Sequence, residues 1–582
     1  MSIIHEPAPA RATCVRRTKI LIALAAVIVV AGATLPIAIR GGGIKTRIVR
    51  LFKPEYGLSK PVVRFRSHPI NGGRDVSANT AISISIVVRN GKLDAKTMNT
   101  AHVALQPAGG GAALDVAVRP VGDDLLVLRP KAALQPDTAY TLSISGMKST
   151  IGAMIPAFTT RFTTGRPADA DIRFQKVPLP GTAGYACTAV VMGPDHQLYA
   201  GTDDGVILRF PIQPNGTLGE PLKLKSLQTA EGRSRLLIGF CFDPAATAAK
   251  PIVWVSHGFY AFSDAPDFTG KITRLSGPKL EVVEDAVIHL PRSARDHLNN
   301  QPIFGPDGAL YFGQGSNMSY GAPDPIWSNR GQHLLNAAIL RLDVKRITPG
   351  QPLDARTVDA DGSYDPRSPD APLTAYATGV RQAYDLVWAT NGQLYAAING
   401  SSAGGNTPAG HGAPALIDIP DDENDWLFHV MPGRYYGHPN ALWNHFVLNG
   451  GNPDGGSGSS IVPQYPLGVK PEPDWQPPIY DFGPHVSADG TIEYLSDSVG
   501  GKLKHMLIVC RYNAGSDLIA VKLNALGDGV DYALTGIVGF TNFNAPLDLC
   551  EDPTNGNIYV SEYGGKCITL LRPIAAVSAS LK

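Results

Sequence analysis

Apolar and polar residues alternate along short segments in the first part of the chain. Ile82, Ile84 and Ile86 alternate with Ser83 and Ser85, which is the period-two pattern of a strand with one buried face. Similar short runs follow up to residue 162, and Asn-Gly, Gly-Asp and Pro-Asp turns separate them. This series of short strands predicts a β-sandwich over residues 61–165.

From residue 166 a different pattern begins and repeats. Each repeat has an apolar strand, a turn containing Asp, Asn or Gly, and a second strand that usually opens with Leu-Tyr or Ile-Tyr. The clear copies and two weaker ones are 190–202, 303–315, 387–400, 550–565, 237–258 and 506–523. Six such units predict an all-β chain whose residues 166–575 form a six-bladed β-propeller, with a tail at 576–582. A large sandwich and a β-helix are the alternatives.

A third pattern is an uncharged run near the N-terminus. Residues 20–39 carry no charge over twenty positions, which is about the length that spans a bilayer. Because Arg16, Arg17 and Lys19 precede the run, we expect an anchored protein whose folded domains are periplasmic or extracellular. A cleavable signal peptide ending near Ala31 is the alternative. The expected N-terminal order is a cytoplasmic stub at 1–19, a transmembrane helix at 20–39 and a linker at 40–60.

Composition narrows the class of protein. Charged residues make up 17% of the chain, against 62 glycines and 48 prolines, a balance typical of short strands joined by many turns. With a net charge of +1 and no Lys/Arg-rich run, nucleic acid is not an expected partner. The six cysteines form no Cys-x-x-Cys motif, which argues against a zinc ribbon. A disulfide, for instance between Cys187 and Cys567, stays open.

Three motifs in the repeats carry candidate chemistry. They are HLNNQPIFGPDG at 297–308, YATGVRQ at 376–382 and DWLFHVMPGRYYGHP at 425–439. Together and in this order they resemble the glucose/sorbosone dehydrogenase family, which includes aldose dehydrogenases that use pyrroloquinoline quinone (PQQ) and calcium. The preceding sandwich segment resembles a bacterial Ig-like domain. The resemblance implies an envelope-anchored, PQQ-dependent oxidoreductase that oxidises an aldose sugar or a related alcohol.

The resemblance assigns roles to individual side chains. His297 would be the catalytic base, and imidazole suits that task because its pKa lies near neutral pH. Arg381 would stabilise negative charge on the reduced quinone, since a guanidinium binds such oxygens well. Arg381, Gln382 and Arg511 would hold the cofactor.

The resemblance also implies a calcium site. Calcium prefers several hard oxygen ligands, and the acidic run DDENDW at 421–426 supplies carboxylates. The expected ligands are Asp425, Asp422 and backbone carbonyl oxygens near Asn399 and Gly400.

Four positions depart from the family pattern and keep other functions open. Gln382 replaces the family's asparagine, Ser316 its aspartate and Tyr384 another polar residue, and a quinone-binding lysine is replaced near Leu495. One alternative is a non-catalytic propeller that binds carbohydrate or protein, with the aromatic segment 426–443 as a candidate surface. Another is a metal-dependent hydrolase. The expected partners are a small sugar, the membrane, and an electron acceptor or a surface glycan.

Overall fold

The computed structural model describes residues 63–574 except 70, 77, 79–81, 89–91, 122–124, 133, 421, 454–464 and 514–515. The predicted stub, membrane segment and linker therefore lie outside the described residues. In the part that is described, no helix has the length and apolar content needed to cross a membrane. Strands and turns dominate, so the all-β prediction is confirmed, and the α-helix is a single short one, α1 (Ser226–Glu231), within the described ranges. The 3₁₀ turns are Ala95–Thr97, Thr100–His102, Pro180–Thr182, Pro325–Trp327, Val344–Arg346, Val358–Ala360, Ala441–Trp443 and Ser498–Gly501.

Two four-stranded sheets form a sandwich at the start of the described chain. Their strands are β1 (Val63–His68), β2 (Gly73–Val76), β3 (Ile82–Val88), β4 (Val103–Pro107), β5 (Val116–Val121), β6 (Leu125–Pro130), β7 (Ala139–Ile144) and β8 (Phe158–Thr164). One sheet has the order β1-β3-β6-β5 and the other β2-β8-β7-β4. Ile82, Ile84 and Ile86 are fully buried between the sheets, as their alternation with serine predicts.

Six further sheets follow, each built around antiparallel strands that are near neighbours in the chain, and two of the sheets gain a short parallel edge strand. The first contains β11 (Cys187–Met192), β12 (Leu198–Thr202), β13 (Ile207–Phe210) and β14 (Leu222–Leu224). The second contains β15 (Arg235–Phe242), β16 (Ile252–Phe259), β17 (Gly270–Ser276), β18 (Val282–Leu290) and β22 (Leu353–Asp354). The third contains β19 (Ile303–Phe304), β20 (Leu310–Gln314), β21 (Ala338–Leu342) and β23 (Leu373–Thr378). The fourth contains β24 (Ala383–Trp388), β25 (Leu394–Ile398), β26 (Asn424–Val430) and β27 (Tyr480–Pro484). The fifth contains β28 (Ala488–Glu493), β29 (Leu507–Arg511), β30 (Asp517–Leu523), β31 (Val530–Thr535) and β9 (Arg166–Pro167). The sixth contains β32 (Pro546–Asp552), β33 (Asn557–Glu562), β34 (Cys567–Pro573) and β10 (Phe174–Pro178).

The first strands of these sheets form a closed ring. β11 contacts β15, β15 contacts β19, β19 and β20 contact β24, β24 contacts β28, β28 contacts β32, and β32 contacts β11. The ring is closed by the chain itself, because the early strand β10 pairs with the last strand, β34. Sheets arranged around a ring of innermost strands are the blades of a propeller, and we number blades 1 to 6 in chain order.

The innermost strands share a local irregularity. Five of them have a register shift near their first residues, at Cys187/Ala189, Leu237/Gly239, Ala383/Leu386, Ala488/Thr491 and Pro546/Asp548. A β-bulge bends a strand and redirects a side chain. Leu236, Ile238, Tyr384 and Leu547 of blades 2, 4 and 6 form one apolar cluster with Leu298 of the β18–β19 connection, and Tyr384 extends it across the central channel. We call this cluster the channel floor.

The sandwich rests on the outer strands of blades 4 and 5. β2 contacts β27 and β31, and the Tyr480 hydroxyl donates to the Asp75 carboxylate. Gly165 allows this approach, since a Cβ on it would lie 2.9 Å from the Cα of Asp75. A cleft of about 520 Å³ remains beside the contact. Cys187, Cys241, Cys510, Cys550 and Cys567 are free thiols.

Candidate functional site

Two kinds of loop lie at one end of the channel. One kind leads into the innermost strand of each blade, and the other joins the second and third strands of each blade. At this end blades 3 and 4 contribute the long segments 315–337 and 399–423. Buried polar side chains are concentrated there, whereas the opposite end carries tight turns such as 305–308 and 389–392. We call the buried polar region of blades 3 to 5 the pocket.

Tyr384 closes the channel below the pocket. Its hydroxyl lies 2.5 Å from the carbonyl oxygen of Thr188 in blade 1 and 3.2 Å from that of Ile238 in blade 2. The side chain therefore crosses from blade 4 to the far wall. A hydroxyl has one hydrogen, so it donates to the nearer carbonyl, that of Thr188. Tyr384 thus serves as a structural bridge between blade 4 and the opposite wall of the channel.

His297 lies in the loop between β18 and β19 and is buried. The Ser293 hydroxyl closes this loop by accepting the N–H groups of Arg295 and His297. His297 Nδ1 lies 3.0 Å from the carbonyl oxygen of Ser316. Because a carbonyl only accepts, Nδ1 carries the hydrogen and Nε2 keeps a lone pair. Nε2 has no hydrogen-bond partner among the described residues.

The electrostatics of His297 favour its neutral form. Burial, and then the positive charge of Arg381, hold the pKa of His297 well below its usual value. The imidazole is therefore an uncharged base at neutral pH. The backbone carbonyl of Ser316 holds the ring of His297, while the Ser316 hydroxyl lies 2.9 Å from His438 Nε2.

Trp327 forms one wall beside this base. Asp324 begins the short turn Pro325–Trp327, and its carboxylate accepts the N–H of Trp327 at 2.9 Å. This cap, together with the proline that follows it, fixes the turn. The Trp327 ring is fully buried, with its centroid 4.3 Å from that of His297.

Arg381 brings a buried positive charge to the same place. Its Nη1 donates to the Gly400 carbonyl at 2.7 Å, and its guanidinium carbon lies 5.6 Å from the Trp327 ring centroid. Burial lowers the pKa of Arg381, and Glu423 and then Asp425 oppose that shift. An arginine remains protonated under such a shift. Its Nε has no partner in the described part of the chain.

Gln382 follows directly and faces the channel side of the pocket. Its Nε2 donates to Asn300 Oδ1 at 3.0 Å, and its Oε1 has no donor within the described ranges. Gly315 separates it from His297, since a Cβ on Gly315 would overlap Gln382 Oε1 and lie 2.8 Å from His297 Cβ. The structure thus brings together His297, Arg381 and Gln382.

The predicted calcium ligands are only partly brought together. Asp425 is buried and accepts the N–H groups of Gly400 at 2.7 Å and Ala488 at 3.3 Å. Burial is the largest cause that raises the pKa of Asp425. The hydrogen bond from Gly400 lowers this pKa in part and the charge of Asp489 raises it, which leaves the pKa at about 8. Asn399 donates to Asp489 at 2.8 Å.

Other contacts already use the oxygen atoms of the predicted calcium ligands. Both Asp425 oxygens accept backbone N–H groups, and the Arg381 guanidinium occupies the Gly400 carbonyl. Asp422 is exposed and accepts the N–H of Ala403 instead. These residues as they stand do not form the oxygen cage that calcium requires, and calcium at this position stays a prediction.

Two further residues from the sequence analysis lie elsewhere. Arg511 makes a bidentate pair with Asp517, at 2.8 and 2.6 Å, and its charge acts on Tyr480 and Asp75 under the sandwich. Leu495 is 39% exposed just beyond the end of β28, opposite the pocket. Neither is brought to His297.

Several buried acceptors and donors in the pocket have no hydrogen-bond partner in the described structure. The unpaired acceptors include His297 Nε2 and Gln382 Oε1. Oxygens of Asp296, Asn399 and Asp489 are likewise buried without a hydrogen-bond donor in the described structure. Such atoms are costly unless a ligand or water donates to them. A ligand rich in hydroxyl groups would satisfy them.

A carboxyl pair lies deeper in the channel wall. Asp385 of blade 4 and Asp548 of blade 6 both have the Gln301 side chain as hydrogen-bond partner. Burial raises the pKa of Asp385 to about 7, and burial and then Asp385 raise that of Asp548 further. One proton is therefore held by the pair near neutral pH.

A three-residue ligand group exists outside the pocket. Glu231, His257 and Asp285 place ligand atoms within 4.8 Å of one another, the one such group in the described residues. Lys271 already lies between the two carboxylates, with its Nζ 2.6 Å from Glu231 and 2.7 Å from Asp285. The ammonium fills the place of a metal, so this is a half-buried ion network.

Sequence reasoning missed Trp327, His438 and Asp489. The Asp-Pro pair before Trp327 is a usable turn signal. Asp489 was hidden because Ala488-Asp489-Gly490 resembles a turn, whereas it opens the innermost strand of blade 5. The aromatic segment 426–443 packs between blades 3 and 4, and Trp426, Tyr435 and Tyr436 are buried.

The solved structures that this chain resembles share little sequence with it. No family profile and no curated protein matches the sequence. Among solved structures, the chain is similar to the holo PQQ domain of pyranose dehydrogenase from Coprinopsis cinerea, at 11% identity over 70% of this chain and 96% of that one, with a TM-score of 0.47. It is also similar to an auxiliary nutrient binding protein from Bacteroides thetaiotaomicron, at 10% identity over 86% of this chain and 95% of that one, with a TM-score of 0.31. A further similar structure is the Dos1 propeller, at 8% identity over 88% of this chain and 93% of that one, with a TM-score of 0.26. Likenesses this distant leave the function to be argued from the pocket itself.

Proposed function

We propose that this protein is an envelope-anchored oxidoreductase that oxidises an aldose sugar or a related alcohol with PQQ. The observation that carries the proposal is the buried imidazole of His297, whose Nδ1 is fixed by the Ser316 carbonyl and whose Nε2 lone pair is free beside Arg381. A buried base with a fixed tautomer and a charged neighbour is typical of an acid–base site.

Oxidation of an alcohol removes one proton from oxygen and one hydride from carbon. His297 Nε2 takes the hydroxyl proton, and its neutral state at pH 7 leaves it ready to do so. When bound, PQQ supplies the acceptor that takes the hydride and with it both electrons. The product is the carbonyl compound, which for an aldose is the lactone.

Arg381 and Trp327 fit a planar, anionic cofactor. PQQ carries three carboxylates on a flat ring system. Arg381 Nε and two guanidinium nitrogens of Arg292 are buried and have no partner in the described structure, so they can bind carboxylate or carbonyl oxygens. The Trp327 ring offers a flat wall beside them. We derive no step through calcium.

The unpaired acceptors support a polyhydroxylated substrate. A sugar presents several hydroxyl hydrogens at once, and the free oxygens of Gln382, Asp296, Asn399 and Asp489 can receive them. The same unpaired acceptors also favour the second candidate, a propeller that binds sugar without oxidising it. Quinone chemistry separates the two.

The test is a titration of PQQ, with and without calcium, into the purified full-length chain. Saturable binding followed by bleaching of the bound quinone by a panel of aldoses is the expected result. Arg381→Met should weaken quinone binding about tenfold or more, because it removes a charge-assisted contact. Arg367→Met, in an exposed pair with Asp365, is the matched control. Sugar binding without quinone binding would favour the second candidate, and absence of both would refute the proposal.

A further inference from the structure

Four half-buried or exposed aromatic side chains line the channel mouth next to the pocket. Tyr260 and Phe262 belong to the blade 2 connection, Tyr512 to blade 5 and Tyr563 to blade 6. Phe262, Tyr512 and Tyr563 pack on the channel floor, and Tyr260 contacts Phe262 edge-on at 5.9 Å. We call these four residues the aromatic arc.

The arc is continuous with the pocket. The Tyr512 backbone N–H donates to the Ser487 carbonyl at 2.9 Å, two residues before the pocket residue Asp489, and the charges of Asp489 and Asp296 raise the pKa of its phenol after burial. Tyr563 donates to Asp203 at 2.9 Å, and Asp203 also acts on Tyr260. Blades 2 and 6 thus join blade 5 in supplying the other half of the rim.

The arc combines flat apolar faces with a rim of carboxylates. Tyr260 is 40% exposed and the other three rings are half-buried, so all four leave part of their surface open to solvent. Sugar rings have an apolar C–H face and hydroxyl edges, which match aromatic faces and carboxylate acceptors respectively. Asp203, Asp204, Asp296 and Asp489 together disfavour an acidic ligand.

We propose that the aromatic arc is a second subsite that holds the next residue of a neutral oligosaccharide whose terminal sugar enters the pocket. This inference rests on the proposed function in one respect, that the pocket takes a sugar. It adds the substrate class: a glycan of at least two neutral residues. An acidic disaccharide is disfavoured.

Calorimetric titration of the full-length chain tests the subsite. The probes are matched sugars: glucose with maltose and cellobiose, galactose with lactose, xylose with xylobiose, and a disaccharide containing a uronic acid. At least one neutral disaccharide should bind about tenfold more tightly than its monosaccharide, since one aromatic contact contributes about that factor. The acidic disaccharide should show no such gain.

Three variants locate the effect. Tyr512→Ala should abolish the disaccharide gain and leave monosaccharide binding within about twofold, whereas Tyr512→Phe, which keeps the ring, should retain the gain. Leu526→Ala, at a 74% exposed position between β30 and β31 at the other end of blade 5, should change neither.

The outcomes separate the two proposals. Equal affinity for monosaccharides and disaccharides, or an equal loss of both in Tyr512→Ala, would overturn the subsite while the pocket still binds sugar. If no sugar binds, the proposed function fails and the subsite fails with it.

Discussion

Replacing His297 by asparagine isolates the proposed base from its structural role. The shorter side chain can place an amide N–H near the position of Nδ1 and keep the bond to the Ser316 carbonyl, which is 3.0 Å long in the native protein. What disappears is Nε2 and the ring contact with Trp327, whose centroid is 4.3 Å away. The stability loss should be small, about 1 kcal/mol for the aromatic contact.

The rate should fall much further than the stability. A general base contributes about 10²–10⁴ in rate, or about 3–5 kcal/mol of transition-state stabilisation. We therefore expect sugar-dependent quinone bleaching, measured by stopped-flow absorbance, to slow at least a hundredfold. Quinone affinity should stay within about threefold, because Arg381 and Trp327 remain.

The pH profile gives an independent check. Burial, and then Arg381, lower the pKa of His297, so the acidic limb of kcat/KM should lie well below pH 6.5 and should vanish in the variant. His289→Asn is the control, since His289 is exposed on β18 and bonds only to Asp354 among the described residues. If His297→Asn kept more than about a third of the native bleaching rate, His297 would not be the base.

Three other substitutions test the framework. Tyr384→Phe removes the hydroxyl that reaches the Thr188 carbonyl, so urea unfolding should show a loss of about 1–3 kcal/mol; unchanged stability would contradict the bridge across the channel. The raised pKa of Asp385, about 7, means that the folded state binds more protons than the unfolded state between pH 4 and 7. Stability should therefore decline with rising pH over that window, by up to about 1.4 kcal/mol per unit for one proton, and Asp385→Asn should flatten the slope; an unaltered slope would exclude this group. Arg511→Met leaves Asp517 buried and unpaired, so unfolding measurements should show a loss of about 3–5 kcal/mol with unchanged quinone affinity; weaker quinone binding would restore Arg511 as a cofactor ligand.

Local pattern was enough for much of the architecture. Alternating Ile and Ser residues predict the buried face of β3, and the repeated strand–turn–strand units correspond to the first two strands of blades 1, 3, 4 and 6 and to parts of blades 2 and 5. These features follow from side-chain period and turn chemistry, which act between near neighbours. His297, Arg381 and Gln382 came from the motifs that resemble a known dehydrogenase family, and the structure places these three side chains together.

Only the tertiary structure decided which candidates share a pocket. Arg511 and Asp422 carry suitable groups, yet their side chains are engaged by Asp517 and by the Ala403 backbone. Asp489 and Trp327 reach the pocket through a bulge and a capped turn that have no long-range signature in the sequence. The physical reason is that burial and hydrogen-bond partners depend on residues far apart in the sequence, which meet only when the ring of blades closes.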